Sequence, residues 1–217
     1  MKSKSLNENF IIYYDDKCPL CIATISSIKR YINPSNTRFY PISISELSLE
    51  NRERIKKLVP HVEFVDINNE TYNNAPVQYP KHRVAFLSLE CFRSIQYEKV
   101  FFFDCDMLCI GNISDMLETA PSDWVSGCGG SPTDINCGLM VIGKRWLDDS
   151  VYEAMVDSNN FMGTTRLFTQ HMINAIVPEF NLISDDYNWK VAPTTDSNRK
   201  ITEYGITDTT KIIHWAG

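Results

Sequence analysis

Tyr97-Glu-Lys-Val-Phe-Phe-Phe-Asp-Cys-Asp-Met107 is the stretch on which the reading of this chain turns. Val100 to Phe103 are four consecutive apolar, strand-forming residues, the pattern of a strand covered on both faces. They run straight into Asp104 and Asp106. Carboxylates resist burial, so their place at the end of an apolar run needs a reason. Residues i and i+2 of a strand point to the same side. At the carboxyl end the pair can therefore aim at one small, hard cation. Mg²⁺ and Mn²⁺ prefer oxygen ligands and bridge one or two carboxylates to substrate phosphates. The motif points to a metal-diphosphate site, and with it an enzyme. The competing reading is a surface turn that carries two acids, since an isolated Asp-x-Asp is common.

Outward from this stretch, strand and helix signals alternate. Residues 9–14 read as a first buried strand and 22–32 as a helix, with Ile22, Ile25, Ile28, Tyr31 and Ile32 at helical spacing. Pro34-Ser-Asn ends that helix, and 38–44 read as a second strand. A second helix follows with Ile55, Leu58 and Val59 inward and Pro60 as its stop. Residues 62–67 read as a third strand, 68–79 as a polar, turn-rich loop, and 84–95 as the helix that leads to the Asp-x-Asp strand. This order predicts an α/β fold with a mainly parallel central sheet flanked by helices. Such sheets bind ligands at the carboxyl ends of their strands, where both Asp15-Asp16 and Asp104/Asp106 fall. Beyond residue 110 the pattern becomes irregular. Short strands are expected at 124–128 and 135–142, split by Gly129-Gly-Ser-Pro, then helices at 145–156 and 166–177, and a closing strand from Lys211.

The 217 residues suit a single domain with an ample core. A net charge of −6 argues against a general nucleic-acid or anionic-membrane surface. No apolar run approaches the roughly 20 residues of a membrane span. The apolar run after the basic start is too short for a signal peptide, so the expected place is the cytoplasm, or the cytosolic face of a membrane. The 7 cysteines, an odd number and several within apolar strands, fit reduced core thiols better than a disulfide framework. Cys18-Pro-Leu-Cys21 also admits a redox pair; no second CxxC follows to complete a zinc site.

Four segments, in order, carry a resemblance. They are Ile11-Ile-Tyr-Tyr-Asp-Asp16, the block from Val84 through Phe103-Asp-Cys-Asp-Met-Leu108, Ile135-Asn-Cys-Gly-Leu-Met-Val-Ile142, and Ile212-Ile-His-Trp-Ala-Gly217. Together they resemble the opening strand, the Asp-x-Asp block, the Asn-(small)-Gly strand and the His-x-x-Gly of the family 8 retaining glycosyltransferases, of the glycogenin and bacterial galactosyltransferase type. The resemblance implies a GT-A fold over residues 1–217. A nucleotide-binding half would span 1–110 and a donor-sugar and acceptor half 111–217. It also implies a UDP-sugar donor, a Mn²⁺ (or Mg²⁺) ion, and transfer of a hexose-type sugar to a glycan or other hydroxyl acceptor with retention.

Carried over by position, Asp104, Asp106 and His214 would hold the metal. Asp15 would accept from the uracil edge with Tyr13 against the base, and Asn136 and Gly138 would line the donor-sugar pocket. Cys105 and Gly217 complete the expected donor contacts, although the Cys105 side chain should point away from the metal by strand alternation. Asp134 would hold sugar hydroxyls and Gln170 would lie near the reacting carbon. Without the resemblance, His214 between Ile213 and Trp215 would read as a core histidine, and Asp15-Asp16 as a helix cap. Tyr187 and Trp189, flanking Asn188, read as core aromatics or as an acceptor-sugar platform.

The chain departs from the family pattern in three places. Thr169-Gln170 stands where the family has Asp-Gln. Ser88 stands where it has a basic residue, with Arg83 or Lys81 in the preceding loop as substitutes. The Lys-Pro-Trp after His-x-x-Gly is absent, so the chain reads as a domain of a longer protein or as a compact relative. Two other functions stay open at this stage: a thiol-disulfide protein using Cys18 and Cys21, and a non-catalytic nucleotide-sugar binding module.

Overall fold

The computed structural model describes residues 8–13, 19–31, 37–42, 48–58, 60, 62, 64, 70–73, 80–94, 96–157, 168–191 and 205–215. Strand β1 is Glu8–Tyr13, followed by helix α1 (Pro19–Ile28), β2 (Thr37–Ile42), α2 (Leu49–Leu58) and the single turn α3 (Glu70–Asn73). A 3₁₀ helix, Pro80–Arg93, leads to β3 (Lys99–Phe103) and β4 (Met107–Cys109). Then come α4 (Ser114–Thr119), β5 (Val125–Ser131), β6 (Asp134–Gly143), α5 (Asp149–Val156) and α6 (Phe168–Ile176). Three short strands close the set: β7 (Asn181–Leu182), β8 (Trp189–Lys190) and β9 (Ile212–His214).

Among the described residues a 6-stranded sheet runs β2-β1-β3-β6-β5-β7, and of these strands only β6 opposes the common direction. The expected mainly parallel α/β sheet is therefore present, with one reversed strand at its middle. Covering on both faces follows from β3, whose residues from Val100 onward are apolar. Val100 and Phe102 enter the core under the 3₁₀ helix, α5 and α6; Phe101 and Phe103 enter the one shared with α1, α2 and α4. Pro41 lies in β2, where the missing N–H is tolerated because β2 is an edge strand among the described residues. A second, 3-stranded sheet, β4-β9-β8, joins the segment just after Asp106 to the segment around His214.

Several boundaries differ from the sequence reading. Asp148 is an N-cap in extended conformation (φ −149°), its carboxylate accepting from the Ser150 N–H at 2.8 Å. That cap starts α5 at Asp149 and leaves Lys144–Trp146 as a separate 3₁₀ turn. Gly129 to Ser131 do not split two strands: they belong to β5, and the reversal into β6 occurs at Pro132-Thr133. Of the expected third strand at 62–67, Val62 and Phe64 are described and lie in no strand; the rest is outside the described residues. The helix expected at 84–95 runs from Pro80, which suits a first helical position, to Arg93. Its 3₁₀ winding stacks Phe86, Leu89 and Phe92, all fully buried, at a spacing of three.

That helix is tied to its neighbours by Glu90. The Glu90 carboxylate accepts from the Tyr72 hydroxyl at 2.5 Å and the Tyr152 hydroxyl at 3.1 Å, and Arg93 pairs with its other oxygen at 3.3 Å. Burial and the adjacent Glu90 charge push the Tyr72 phenol far above its ordinary value, so it remains a donor. Without the Glu90 carboxylate the Tyr72 and Tyr152 hydroxyls, 2.9 Å apart, keep only each other, and one of the two donors is left without an acceptor. Glu90→Ala is expected to lower unfolding free energy by about 2–4 kcal/mol in a urea titration. A loss below about 0.5 kcal/mol, the range of ordinary surface changes, would show that the link carries no stability.

Candidate metal and donor site

The Asp-x-Asp turn connects β3 to β4, and three elements hold its backbone. On one side the Asp104 N–H donates to the Gly138 carbonyl at 2.8 Å, which extends the β3–β6 ladder by one residue. On the other, the Trp215 N–H donates to the Asp106 carbonyl at 3.1 Å. From α1, the Thr24 hydroxyl lies 2.7 Å from the Cys105 carbonyl and 2.6 Å from that of Met107. Ser27 Oγ accepts the Cys109 N–H at 3.0 Å. The two carboxylates converge because a clamped tight turn brings them round, rather than through strand alternation alone.

Gly138 owes its place to an irregularity in β6. Gly127 of β5 pairs with Met140, yet the next residue, Cys128, pairs with Asn136. The intervening residues 137–139 are pushed toward β3, where Leu139 pairs with Phe103. This is a β-bulge at the site, and it switches the face that β6 presents. Ile135 and Cys137 pack in one core, whereas Leu139 packs in the other.

His214 arrives from the far end of the chain on β9, opposite Met107 of β4. Its Nε2 lies 3.3 Å from Asp106 Oδ1 and 3.9 Å from Asp104 Oδ2. One potential ligand atom from each residue falls within 4.8 Å of the others. The His214 side chain is 4% exposed, whereas those of Asp104 and Asp106 keep 42% and 33%. The cluster is thus closed on the imidazole side and open on the carboxylate side. Protein packed around Asp104 and the like charge of Asp106 push the Asp104 carboxyl up to about 7, against the opposing pull of His214. Two acids and an imidazole set this close, with the acids repelling each other, match the needs of a divalent cation, and the single nitrogen donor suits Mn²⁺ better than Ca²⁺.

Behind the imidazole lies a line of side-chain amides. His214 Nδ1 is 2.8 Å from Asn188 Oδ1, and Asn188 Nδ2 donates to Asn136 Oδ1 at 2.9 Å. Asn136 Nδ2 is 3.5 Å from Gln170 Oε1, and Gln170 Nε2 donates to Asp134 Oδ1 at 3.2 Å. Asn174 Nδ2 donates to the same Asp134 oxygen at 2.7 Å. The residues expected at the metal (Asp104, Asp106, His214) and at the donor sugar (Asp134, Asn136, Gly138, Gln170) are therefore brought together. Asn188, singled out above only through its aromatic neighbours, and Asn174, not singled out at all, are the members that sequence reasoning missed. Cys105 sits partly buried against the α1-side core, outside the ligand cluster, as alternation predicted.

Other expected residues are placed in part. β1 and β3 run parallel with Ile12 opposite Phe103, so the chain leaves β1 beside Asp104. Tyr13 ends β1, but its side chain lies outside the described residues, as do Asp15, Gly217 and Cys18 entirely. Lys81 and Arg83 stand on the 3₁₀ helix rather than in a loop before it, and their side chains are outside the described set. Ser88 is buried and donates to the Ala85 carbonyl at 2.8 Å. Cys109 and Cys128 thiols are pushed up to about 12 by burial, and those of Cys91 and Cys137 well above the ordinary value, so none of these four is poised as a nucleophile.

No protein-family profile matches the chain. Glycogenin-1 of Caenorhabditis elegans is 26% identical over 181 residues, 80% of this chain; the alignment spans only 41% of that relative's length. The galactosyltransferase LgtC, solved with donor and acceptor sugar analogs, superimposes with a TM-score of 0.72 at 16% identity, covering 96% of this chain and 87% of LgtC. Mouse xyloside xylosyltransferase 1 gives a TM-score of 0.63 at 14% identity, covering 95% of this chain and 96% of its own. At such identities the solved structures speak for the fold. The chain is thus family 8-like, built on the GT-A fold of the glycosyltransferases.

Proposed function

We propose that this chain is a metal-dependent glycosyltransferase that moves a hexose-type sugar from a UDP-sugar to a hydroxyl of a glycan or glycosylated acceptor, with retention. The observation that carries the reading is the convergence of Asp104, Asp106 and His214 on one point with its carboxylate side open. In support, the GT-A relative LgtC was solved with donor and acceptor sugar analogs. When bound, Mn²⁺ (or Mg²⁺) would act as a Lewis acid on the departing diphosphate.

The chain's own residues have distinct parts in this proposal. Asp104 and Asp106 supply oxygen ligands and His214 a nitrogen from the buried side. Asn136 and Gly138 line the donor-sugar pocket; Asp134, an exposed carboxylate held by Gln170 and Asn174, accepts from sugar hydroxyls. Asp134 also places a carboxylate against Gln170, compensating for Thr169, which has none. Gln170 stands nearest the reacting carbon. In a retaining reaction the acceptor hydroxyl enters on the face the diphosphate leaves, so both must share the open side of the cluster. Tyr13, Asp15, Arg83, Cys105 and Gly217 belong to this reading as donor contacts, and so does the division into a nucleotide half (1–110) and a sugar half (111–217).

Thermal unfolding with Mn²⁺ and a panel of nucleotide sugars identifies the donor, because a ligand specific for the folded state raises its melting temperature. UDP-sugars should shift it, and Asp104→Ala and His214→Ala should each remove both the shift and donor hydrolysis. Unchanged UDP affinity and turnover in both variants would end the metal assignment. Tight UDP binding without transfer or hydrolysis for any donor would identify a binding module instead. Among the described residues no helix is long and apolar enough to cross a membrane.

A further inference from the structure

The two ring nitrogens of His214 have different surroundings. Nε2 faces the carboxylates at 3.3 and 3.9 Å, whereas Nδ1 lies 2.8 Å from Asn188 Oδ1. Which end of a side-chain amide faces a neighbour is ordinarily an assignment. Here the backbone decides it. Asn136 Oδ1 takes the Gly138 N–H at 3.2 Å, and a peptide N–H can only donate. Asn136 therefore presents oxygen at that point, and Asn188 must present its NH₂ there, which leaves the Asn188 oxygen for the imidazole. The opposite end of the line agrees. Asp134 accepts from Gln170, so the Gln170 oxygen faces the Asn136 NH₂. Both ends impose the same direction on every bond, and aligned bonds of this kind polarise one another.

We propose that Asn188 is the positioning residue of the metal-binding histidine: it holds neutral His214 as the Nδ1–H tautomer and so turns the Nε2 lone pair toward Asp104 and Asp106. The inference builds on the metal reading above, and it concerns a residue that sequence patterns do not mark. Asn188 is 1% exposed, as fits a group that works through its neighbours. It sits on the 3-stranded sheet's own scaffold, just before β8, which pairs with β9 through Trp189↔Ile213 and Lys190↔His214. The amide is thereby carried at the entry to the strand next to the histidine it orients.

The first test is the tautomer in the unmodified protein, without metal. ¹⁵N NMR of His214 at roughly pH 8, where histidine is ordinarily neutral, should show the proton on Nδ1. A proton on Nε2 overturns the proposal. The second test is Mn²⁺ affinity by calorimetry in two variants. Asn188→Leu has similar volume and no acceptor. It is expected to weaken Mn²⁺ binding by about 10–100-fold, the usual effect of removing the partner behind a ligating imidazole. Asn188→Asp keeps an acceptor for Nδ1 but gives up the donor to Asn136 Oδ1, so it is expected to bind Mn²⁺ more weakly than the parent and clearly more tightly than the leucine variant. A folded Asn188→Leu protein that binds Mn²⁺ like the parent, or equal losses in both variants, would refute the assignment and leave Asn188 as packing. If the leucine variant does not fold, the tautomer and the aspartate variant decide. Failure of the parent itself to bind Mn²⁺ counts against the metal site, and the position of the proton on His214 then decides the role of Asn188 by itself.

Discussion

Gly138→Ala is expected to abolish divalent-metal binding in a protein that still folds. An added Cβ would lie 2.5 Å from His214 Cε1, 2.8 Å from Asp104 Oδ2 and 3.1 Å from Asn136 Oδ1. The first two atoms belong to proposed ligands, so relief must displace the ligand set itself. Each easy escape is blocked. The imidazole is held from behind by Asn188, and the Gly138 peptide cannot retreat without breaking its bond to the Asp104 N–H. Overpacking of this kind costs about 1–3 kcal/mol, which a domain of this size survives. Metal affinity, which needs ligand atoms placed within tenths of an ångström, should fall on the order of 100-fold or more. Calorimetric titration with Mn²⁺ beside a thermal melt reads both quantities. Parental Mn²⁺ affinity in the alanine variant would show that the ion does not sit above Gly138.

Asp104→Asn is expected to make the metal-free protein more stable in mildly alkaline buffer while removing its response to metal. The Asp104 carboxyl is raised from 3.8 to about 7 in the folded state. Between those values the native chain keeps a proton that the unfolded chain has lost. This group's contribution is therefore most favourable in acid and declines as pH rises through the window. Above about 7 the ionised Asp104 opposes folding in full. Asparagine removes that opposition. At roughly pH 8 in chelator the variant should melt a few degrees above the parent; at about pH 4 the difference should vanish. Added Mn²⁺ should raise the parent's melting temperature by mass action and leave the variant unmoved. A variant less stable than the chelated parent at the higher pH would mean that the two acids do not repel each other as their spacing implies.

What the sequence revealed depended on how local each signal was. β3 and its two acids were legible because an apolar run ending in carboxylates is a contradiction that only a few structures resolve. α1 was legible from Ile22, Ile25 and Ile28 at helical spacing, two of which are now found buried. The boundary at Asp148 was available in principle, since Asp-Asp-Ser before an apolar pattern is a cap signal, but the longer helical period from residue 145 masked it. The displacement of residues 137–139 could not be read, because it arises from how β6 satisfies β5 and β3 at once. His214 entered through resemblance, and Asn188 not at all. An asparagine between two aromatics looks like any loop asparagine until the fold sets it 2.8 Å from an imidazole 26 positions further along. The redox alternative stays with Cys18 and Cys21, about whose side chains the described residues say nothing.

The 3-stranded sheet has a mechanical meaning as well. It joins a point in the middle of the chain to a stretch more than a hundred residues later, through only a handful of short pairings. An ion gripped from both sides of that seam would behave as a removable rivet across a very long loop. Tying such a loop restricts the unfolded chain's freedom while asking little of the native fold. Folding and metal loading would then favour each other, and starving the protein of its cation would loosen the seam first, leaving the large sheet standing.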